Sequence, residues 1–146
     1  MSLTTQEPQP TLHEPFRIVA LPDGFLVEAQ VGNVWQHLYR VSAEVPLPID
    51  LEVANWYKAS HRTSRFVTNL IIARPGDGCR HTLFNTRYAR RGMDNKVVTR
   101  TLRTSDDYNS ILRTEFDLAL TEAELTALVT GVERRAQAGH APPFVP

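Results

Sequence analysis

Three short apolar segments separated by two tight turns, FRIVA-LPDG-FLVEAQV-GN-VWQHLYRV, constrain this chain more than any other feature. Asp23-Gly24 and Gly32-Asn33 supply the turn residues, and connections this short join strands that pair as antiparallel neighbours. Phe25, Val27, Ala29 and Val31 alternate along the middle strand and predict one buried face. Pro46 and Pro48 then break the pattern.

The remainder reads as mixed helix and strand. Over residues 49–60, IDLEVANWYKAS, Asp50 is the expected N-cap, and Leu51, Ala54 and Tyr57 share one face of a short helix. Trp56 and Tyr57 on that helix read as core. FVTNLIIA is the next expected strand, closed by the turn RPGDG. CRHTLFNTRYARRG and NKVVTRTLR form a further hairpin that turns near Met93-Asp94-Asn95. Thr104 to Asp107 opens a helix through Tyr108, Ile111, Leu112 and Phe116. A last helix starts on a capping box of Thr121 and Glu124, with Leu125, Leu128, Val129 and Val132 on one face.

The expected fold class is α+β: an antiparallel, barrel-like β-meander, then an α/β lid with two C-terminal helices. In domain terms, residues 1–15 are a flexible lead-in and 16–48 the meander, the end of a β-rich domain. Residues 49–136 form the lid-like domain, and 137–146 a frayed tail.

Composition narrows the partners. At 146 residues a single domain can bury a real core. Formal net charge is zero, so nothing draws the whole molecule to nucleic acid or to an acidic membrane. Neither partner is expected. No apolar run approaches the roughly 20 residues of a membrane span, and the first fifteen residues lack a signal-peptide pattern. A cytoplasmic protein is the expectation. Of 16 basic residues only Lys58 and Lys96 are lysine. Arg87, Arg90, Arg91, Lys96, Arg100 and Arg103 lie on one predicted hairpin. Without interleaved aromatics they read as a solvated face rather than a base-stacking surface.

Catalytic candidates are sparse. Cys79, the single cysteine, follows a Gly-Asp-Gly turn and has no helix N-terminus or adjacent base in the sequence, so it reads as a small strand residue. His13, His37, His61, His81 and His140 lack metal-ligand spacing, and no metal is expected. His37 and His81 fall in strands and read as structural. A triad of His61, Cys79 and an aspartate has no local support. Glycine-rich phosphate motifs are absent. In NWYKASHRTSRFVTNL, however, Ser60, Thr63 and Ser64 cluster between helix and strand beside Arg62 and Arg65. Such a loop is either an anion-binding site or an ordinary connector.

Asn55-Trp56-Tyr57, the following Ala59-Ser60-His61, Ser64-Arg65-Phe66-Val67-Thr68-Asn69-Leu70 and Arg100-Thr101-Leu102 with the helix start after it together resemble the C-terminal half of bacterial arylamine N-acetyltransferases. The upstream PFRIVALPDGFLVEAQVGNVWQHLYRV matches too, and the likeness runs from about Pro10 to about Leu120. It implies acetyl transfer from acetyl-CoA to arylamines or hydrazines by a ping-pong route. In that family a Cys-His-Asp triad, its cysteine in Arg-Gly-Gly-x-Cys, lies in the N-terminal half. This sequence has no such motif, so no catalytic residue is assigned, and the chain alone is expected to be inactive, a C-terminal portion without its triad half.

By the same resemblance Tyr57 and Thr63 stand near CoA, and Phe66 lines the acceptor pocket. Two positions depart from the family pattern: Arg62 stands where proline commonly follows the histidine, and Thr68-Asn69 replaces Asn-Asn. A triad-bearing N-terminal chain or a second copy is the expected partner, with an arylamine substrate only when complemented. The alternative is a non-catalytic relic that serves as a CoA-binding or dimerisation module.

Overall fold

Two antiparallel sheets carry the chain in the computed structural model, which describes residues 6–137. The first is a meander of β1 (Phe16–Leu21), β2 (Gly24–Val31) and β3 (Val34–Ser42). Its turns fall at Pro22-Asp23 and Gly32-Asn33, and Gly24 is needed where it stands. A Cβ there would lie 2.0 Å from the Val41 carbonyl oxygen, inside the ladder itself. Ile18, Val27 and Ala29 are buried. A register shift between Val27 and Glu28 interrupts the alternation and leaves the Glu28 carboxylate buried as well. Arg17 satisfies it from one side and His37 Nε2 from the other, at 2.9 Å.

The second sheet runs β4 (Ile71–Gly76), β5 (Cys79–Phe84), β6 (Arg87–Gly92) and β7 (Val97–Thr101) in sequence order. Helices α3 (Ser105–Phe116) and α4 (Glu122–Gln137) cover one of its faces. Between them lies the main core of Leu83, Tyr88, Leu102, Tyr108, Ile111, Leu112 and Phe116, with Leu125, Leu128 and Val129 packed against it. Both helices begin on reciprocal caps. The Thr104 hydroxyl accepts from the Asp107 N–H while the Asp107 carboxylate accepts from the Thr104 N–H, and Thr121 and Glu124 repeat the arrangement. The α+β class and the two closing helices are as the sequence predicts.

Four local expectations need correction. Helix α1 (Pro48–Ser60) is capped by Leu47 without a side-chain bond, and Asp50 lies in its first turn. Proline at the first helical position presets the backbone and moves the start upstream of the expected aspartate. Phe66, Val67 and Thr68 belong to a short helix, α2 (Arg65–Thr68), and the strand begins only at Ile71. Pro75 and Gly76 extend β4 rather than ending it, which an edge strand tolerates because its outer N–H groups need no partner. Residues 79–92 are two strands, folded back at Asn85-Thr86 with Asn85 at φ 52°.

The segment expected to be a loose lead-in is tied down where it is described. Gln9 and Phe16 exchange backbone hydrogen bonds, and the Gly78 N–H donates to the Leu12 carbonyl at 2.9 Å. Buried Glu14 faces Arg80 at 3.3 Å. The tail expected to fray, apart from Gln137 at the end of α4, lies outside the described residues, as does His140.

Candidate functional site

Helix α1 buries none of its residues. Leu51, Ala54 and Tyr57, the expected inner face, are all exposed, and Trp56 is 58% exposed rather than core. The helix ends at His61, whose N–H donates to the Tyr57 carbonyl at 3.1 Å. A tight turn follows, closed by the Ser64 N–H on the His61 carbonyl at 2.9 Å.

Ser64 is the pivot of this turn. It is 2% exposed, its hydroxyl donates to the Lys58 carbonyl at 2.7 Å, and the same oxygen accepts from the Phe66 N–H at 3.3 Å. One side chain therefore closes the end of α1 and caps the start of α2. At the far end of α2 the buried Asn69 accepts from Asn85 Nδ2 at 2.9 Å, and the Leu70 N–H donates to Asn85 Oδ1 at 2.9 Å. The Tyr108 hydroxyl donates to the Asn85 carbonyl at 3.2 Å. The exposed loop is thus wired through Asn69 and Asn85 into the core.

Above this anchor the structure brings Tyr57, His61 and Thr63 together. The Tyr57 and His61 rings stack 4.8 Å apart at 20°, and Trp56 meets His61 edge-on at 5.7 Å. Thr63 Oγ1 lies 3.1 Å from Tyr57 Oη and 2.9 Å from His61 Nδ1, which also accepts from the Thr63 N–H at 3.3 Å. A ring nitrogen that accepts a backbone N–H carries no proton. The consistent assignment is therefore Tyr57 O–H to Thr63 Oγ1, Thr63 O–H to His61 Nδ1, with the His61 proton on Nε2.

The Thr63 hydroxyl is spent on Tyr57 and His61 and the Ser64 hydroxyl on the backbone, while Ser60, the third of the expected cluster, is exposed at the end of α1. What the loop offers a ligand is a stack of ring faces, the His61 Nε2–H, and the guanidinium groups of Arg62 and Arg65. Both arginines are exposed, and neither forms an ion pair among the described residues. Phe66 stands on α2 and is 64% exposed.

The sequence reading assigned no site role to His61 or Trp56. The signal was the four-residue spacing of Tyr57 and His61, which stacks two rings on one helix face. Trp56 looked like core because nothing in a lone helix reveals what it packs against.

The other candidates separate from this loop. Cys79 is buried at 4% exposure and lies beside His81, not His61, so the pairing of His61 with Cys79 does not form. His37 is exposed and serves Glu28. On the arginine-bearing hairpin, Arg100 pairs with Asp107, and Lys96 with Asp94 at 2.8 Å. Among the described residues no group of three or more His, Cys, Asp or Glu is placed to hold a metal ion, and no helix is long and apolar enough to cross a membrane. A groove of about 550 Å³ runs between the two sheets, with Leu38, Ile71, Phe84, Arg87 and Val97 in its walls.

The family model described as N-acetyltransferase matches residues 1–125. An arylamine N-acetyltransferase of Mycobacterium bovis is 42% identical over 83 residues, covering 57% of this chain and 29% of the relative. The enzyme of the same name from Mycolicibacterium smegmatis is 43% identical over 75 residues, 51% of this chain and 27% of the relative. Among solved structures, the Mycobacterium marinum arylamine N-acetyltransferase in complex with CoA superposes with a TM-score of 0.75 at 27% identity, covering 90% of this chain and 49% of that one. That from M. tuberculosis gives 0.72 at 30% identity and the same coverage. This chain spans about half the length of the solved relatives it matches. With residues 1–125 matched by the family model and 90% of the chain covered by a solved relative, the chain belongs to the arylamine N-acetyltransferase family.

Proposed function

We infer that this chain is the C-terminal, cofactor-facing part of an acetyl-CoA-dependent arylamine N-acetyltransferase, and that acetyl transfer to an arylamine or hydrazine requires a triad-bearing segment beside it. The observation that carries this reading is the exposed cluster of Trp56, Tyr57, His61 and Thr63 flanked by Arg62 and Arg65. Ring faces next to unpaired guanidinium groups suit a ligand that is both aromatic and multiply anionic. CoA is such a ligand, and a family relative was solved with it bound.

The residues fit the group. Arg62 and Arg65 would pair with its phosphates, the stacked Tyr57 and His61 would present a face to its base, and the Thr63 hydrogen bonds would hold those rings in place. CoA supplies the thioester that carries the acetyl group. Phe66, exposed one turn further on, would meet the acceptor amine. Transfer by the family's ping-pong route needs a thiolate to accept the acetyl group, and binding groups alone do not replace that nucleophile.

A large unpartnered surface supports the need for a second segment. Apart from the CoA-facing rings, Leu51 and Val53 on α1 and Tyr39 and Val41 on β3 are all exposed. Exposed apolar side chains of this kind mark an interface. We assign it to the half of the family fold that the solved relatives have and that this chain's match leaves uncovered. The second reading, a non-catalytic module that dimerises through the same surface, rests on the same patch.

The test is acetylation of an arylamine from acetyl-CoA by the purified chain, alone and co-expressed with the N-terminal half of the M. marinum relative. Silence alone and turnover together support the reading. Turnover by the chain alone would overturn it, and a stable homodimer that neither binds CoA nor accepts the added half would favour the second.

A further inference from the structure

Away from the CoA-facing loop, the buried face of the second sheet holds a relay that neither the family assignment nor the proposed function uses. Cys79 Sγ lies 3.2 Å from His81 Nε2. The other ring nitrogen, Nδ1, lies 3.1 Å from Glu115 Oε2 on α3 and 2.9 Å from Tyr88 Oη on β6. Residues 79 and 81 share a face because strand side chains alternate, and α3 brings the carboxylate onto it. The order of groups is thiol, imidazole, carboxylate.

We propose that Cys79 is an activated thiol, a site of oxidation by small hydroperoxides, with His81 as its base and Glu115 as the carboxylate that orients that base. A carboxylate on Nδ1 fixes the tautomer that leaves Nε2 free to take the thiol proton, and it stabilises the imidazolium that results. Charged groups come from each neighbouring element: Glu115 on α3, Arg74 on β4 with its partner Asp117 at 3.7 Å, Arg90 on β6, and the Asp94 carboxylate, paired with Lys96, over Gly92 opposite Cys79. Glu115 favours the imidazolium. Arg74 on β4 and Arg90 on β6 are the ladder partners of His81 on either side, and their positive charge favours the thiolate. Burial and the neighbouring Glu115 push the Tyr88 phenol up to about 12, so it stays protonated and acts only as a hydrogen-bonding neighbour.

Access comes through glycine. Both ladder partners of Cys79, Gly76 and Gly92, lack side chains. A Cβ on Gly76 would lie 3.1 Å from Sγ and 3.1 Å from His81 Nε2. Cys79 is only 4% exposed, so a reagent as small as hydrogen peroxide has to reach the contact past the backbone of Gly76, which carries no side chain there. In the reaction the Sγ proton passes to Nε2 and the thiolate attacks one peroxide oxygen. The S–O bond forms as the O–O bond breaks, and the departing hydroxide takes the proton back as water. Sulfur loses two electrons and the peroxide gains them, leaving a sulfenic acid.

Intact-mass spectrometry on the full chain reads this without ambiguity, because it has a single cysteine. An ordinary thiol is about 1% ionised near pH 6.5. Cys79 is expected to alkylate with iodoacetamide at that pH about tenfold faster than free cysteine. Hydrogen peroxide is expected to add one oxygen that dimedone then traps. His81→Gln removes the base, and should it fail to fold, Glu115→Gln at a partly exposed position carries the test. Glu115→Gln is expected to lose most of the excess rate near pH 6.5 while keeping the rate at alkaline pH. Alkylation only after denaturation, or a wild-type profile that rises as one ordinary thiol ionisation and is unchanged in Glu115→Gln, would overturn the proposal.

Discussion

Replacing Ser64 with alanine separates the scaffold of the loop from its binding surface. The serine is 2% exposed and its hydroxyl makes two hydrogen bonds, donating to the Lys58 carbonyl in the last turn of α1 and accepting from the Phe66 N–H of α2. Loss of an N-cap costs about 1 kcal/mol. The Lys58 carbonyl also loses its hydroxyl donor, at about 1 kcal/mol more. The variant should therefore unfold with about 2 kcal/mol less stability, which lowers Tm by roughly 6 °C for a chain of this size. Urea titration followed by circular dichroism measures it, with the slope against denaturant unchanged if only the folded state is affected. Thr63→Ala is the control. Its hydroxyl is exposed and bonds only to Tyr57 and His61, so stability should shift by less than about 0.5 kcal/mol. Equal effects from the two variants, or a Ser64→Ala change below about 0.5 kcal/mol, would refute the role of Ser64 as the pivot.

Other outcomes follow from the same geometry. Leu112→Ala removes a side chain that is 1% exposed at the centre of the main core and should cost about 3 kcal/mol by urea denaturation. Thr104→Ala should cost about 1 kcal/mol as the loss of the α3 cap. Backbone N–H groups of Arg103 and Thr104 hold the Asp107 carboxyl down at about 2, below its ordinary 3.8. Because the folded value is the lower one, the stability it contributes is present above the ordinary value and lost as pH falls through about 2. Asp107→Asn should flatten that acid-side slope in a series of melts. Gly24→Ala should disrupt the first sheet, seen as loss of amide-exchange protection in β2 and β3, because its Cβ meets the Val41 carbonyl oxygen at 2.0 Å.

The features legible in the sequence are those written within a few residues. The capping box of Thr121 and Glu124, the helix start at Thr104, the turns at Asp23-Gly24, Gly32-Asn33 and Met93-Asp94-Asn95 and the buried stripe of α3 depend on neighbours in sequence, and each reads through. Phe66-Val67-Thr68 misled because β-branched and aromatic residues favour strands, whereas Ser64 and Asn69 cap them into a turn of helix. Trp56 misled because an aromatic on an amphipathic stretch implies a core, and the core of this chain lies elsewhere. Of the candidate site, the clustering of hydroxyls was visible, but their mutual hydrogen bonding was not. It depends on the turn that brings Thr63 back over the ring of Tyr57. The Cys79–His81–Glu115 relay was invisible for a stronger reason. Its carboxylate comes from α3, and only the packing of that helix on the sheet joins the three groups.

The central claim is that Tyr57, His61 and Thr63, with Arg62 and Arg65, form the CoA-facing surface of this chain. Calorimetric titration of the purified chain with CoA, beside Thr63→Ala and the double variant Arg62→Ala/Arg65→Ala, tests it most directly. Saturable binding is expected that weakens as salt is added, falls with Thr63→Ala and is largely lost in the double arginine variant. Absence of heat in the wild-type chain, or binding that all the variants retain, would contradict it.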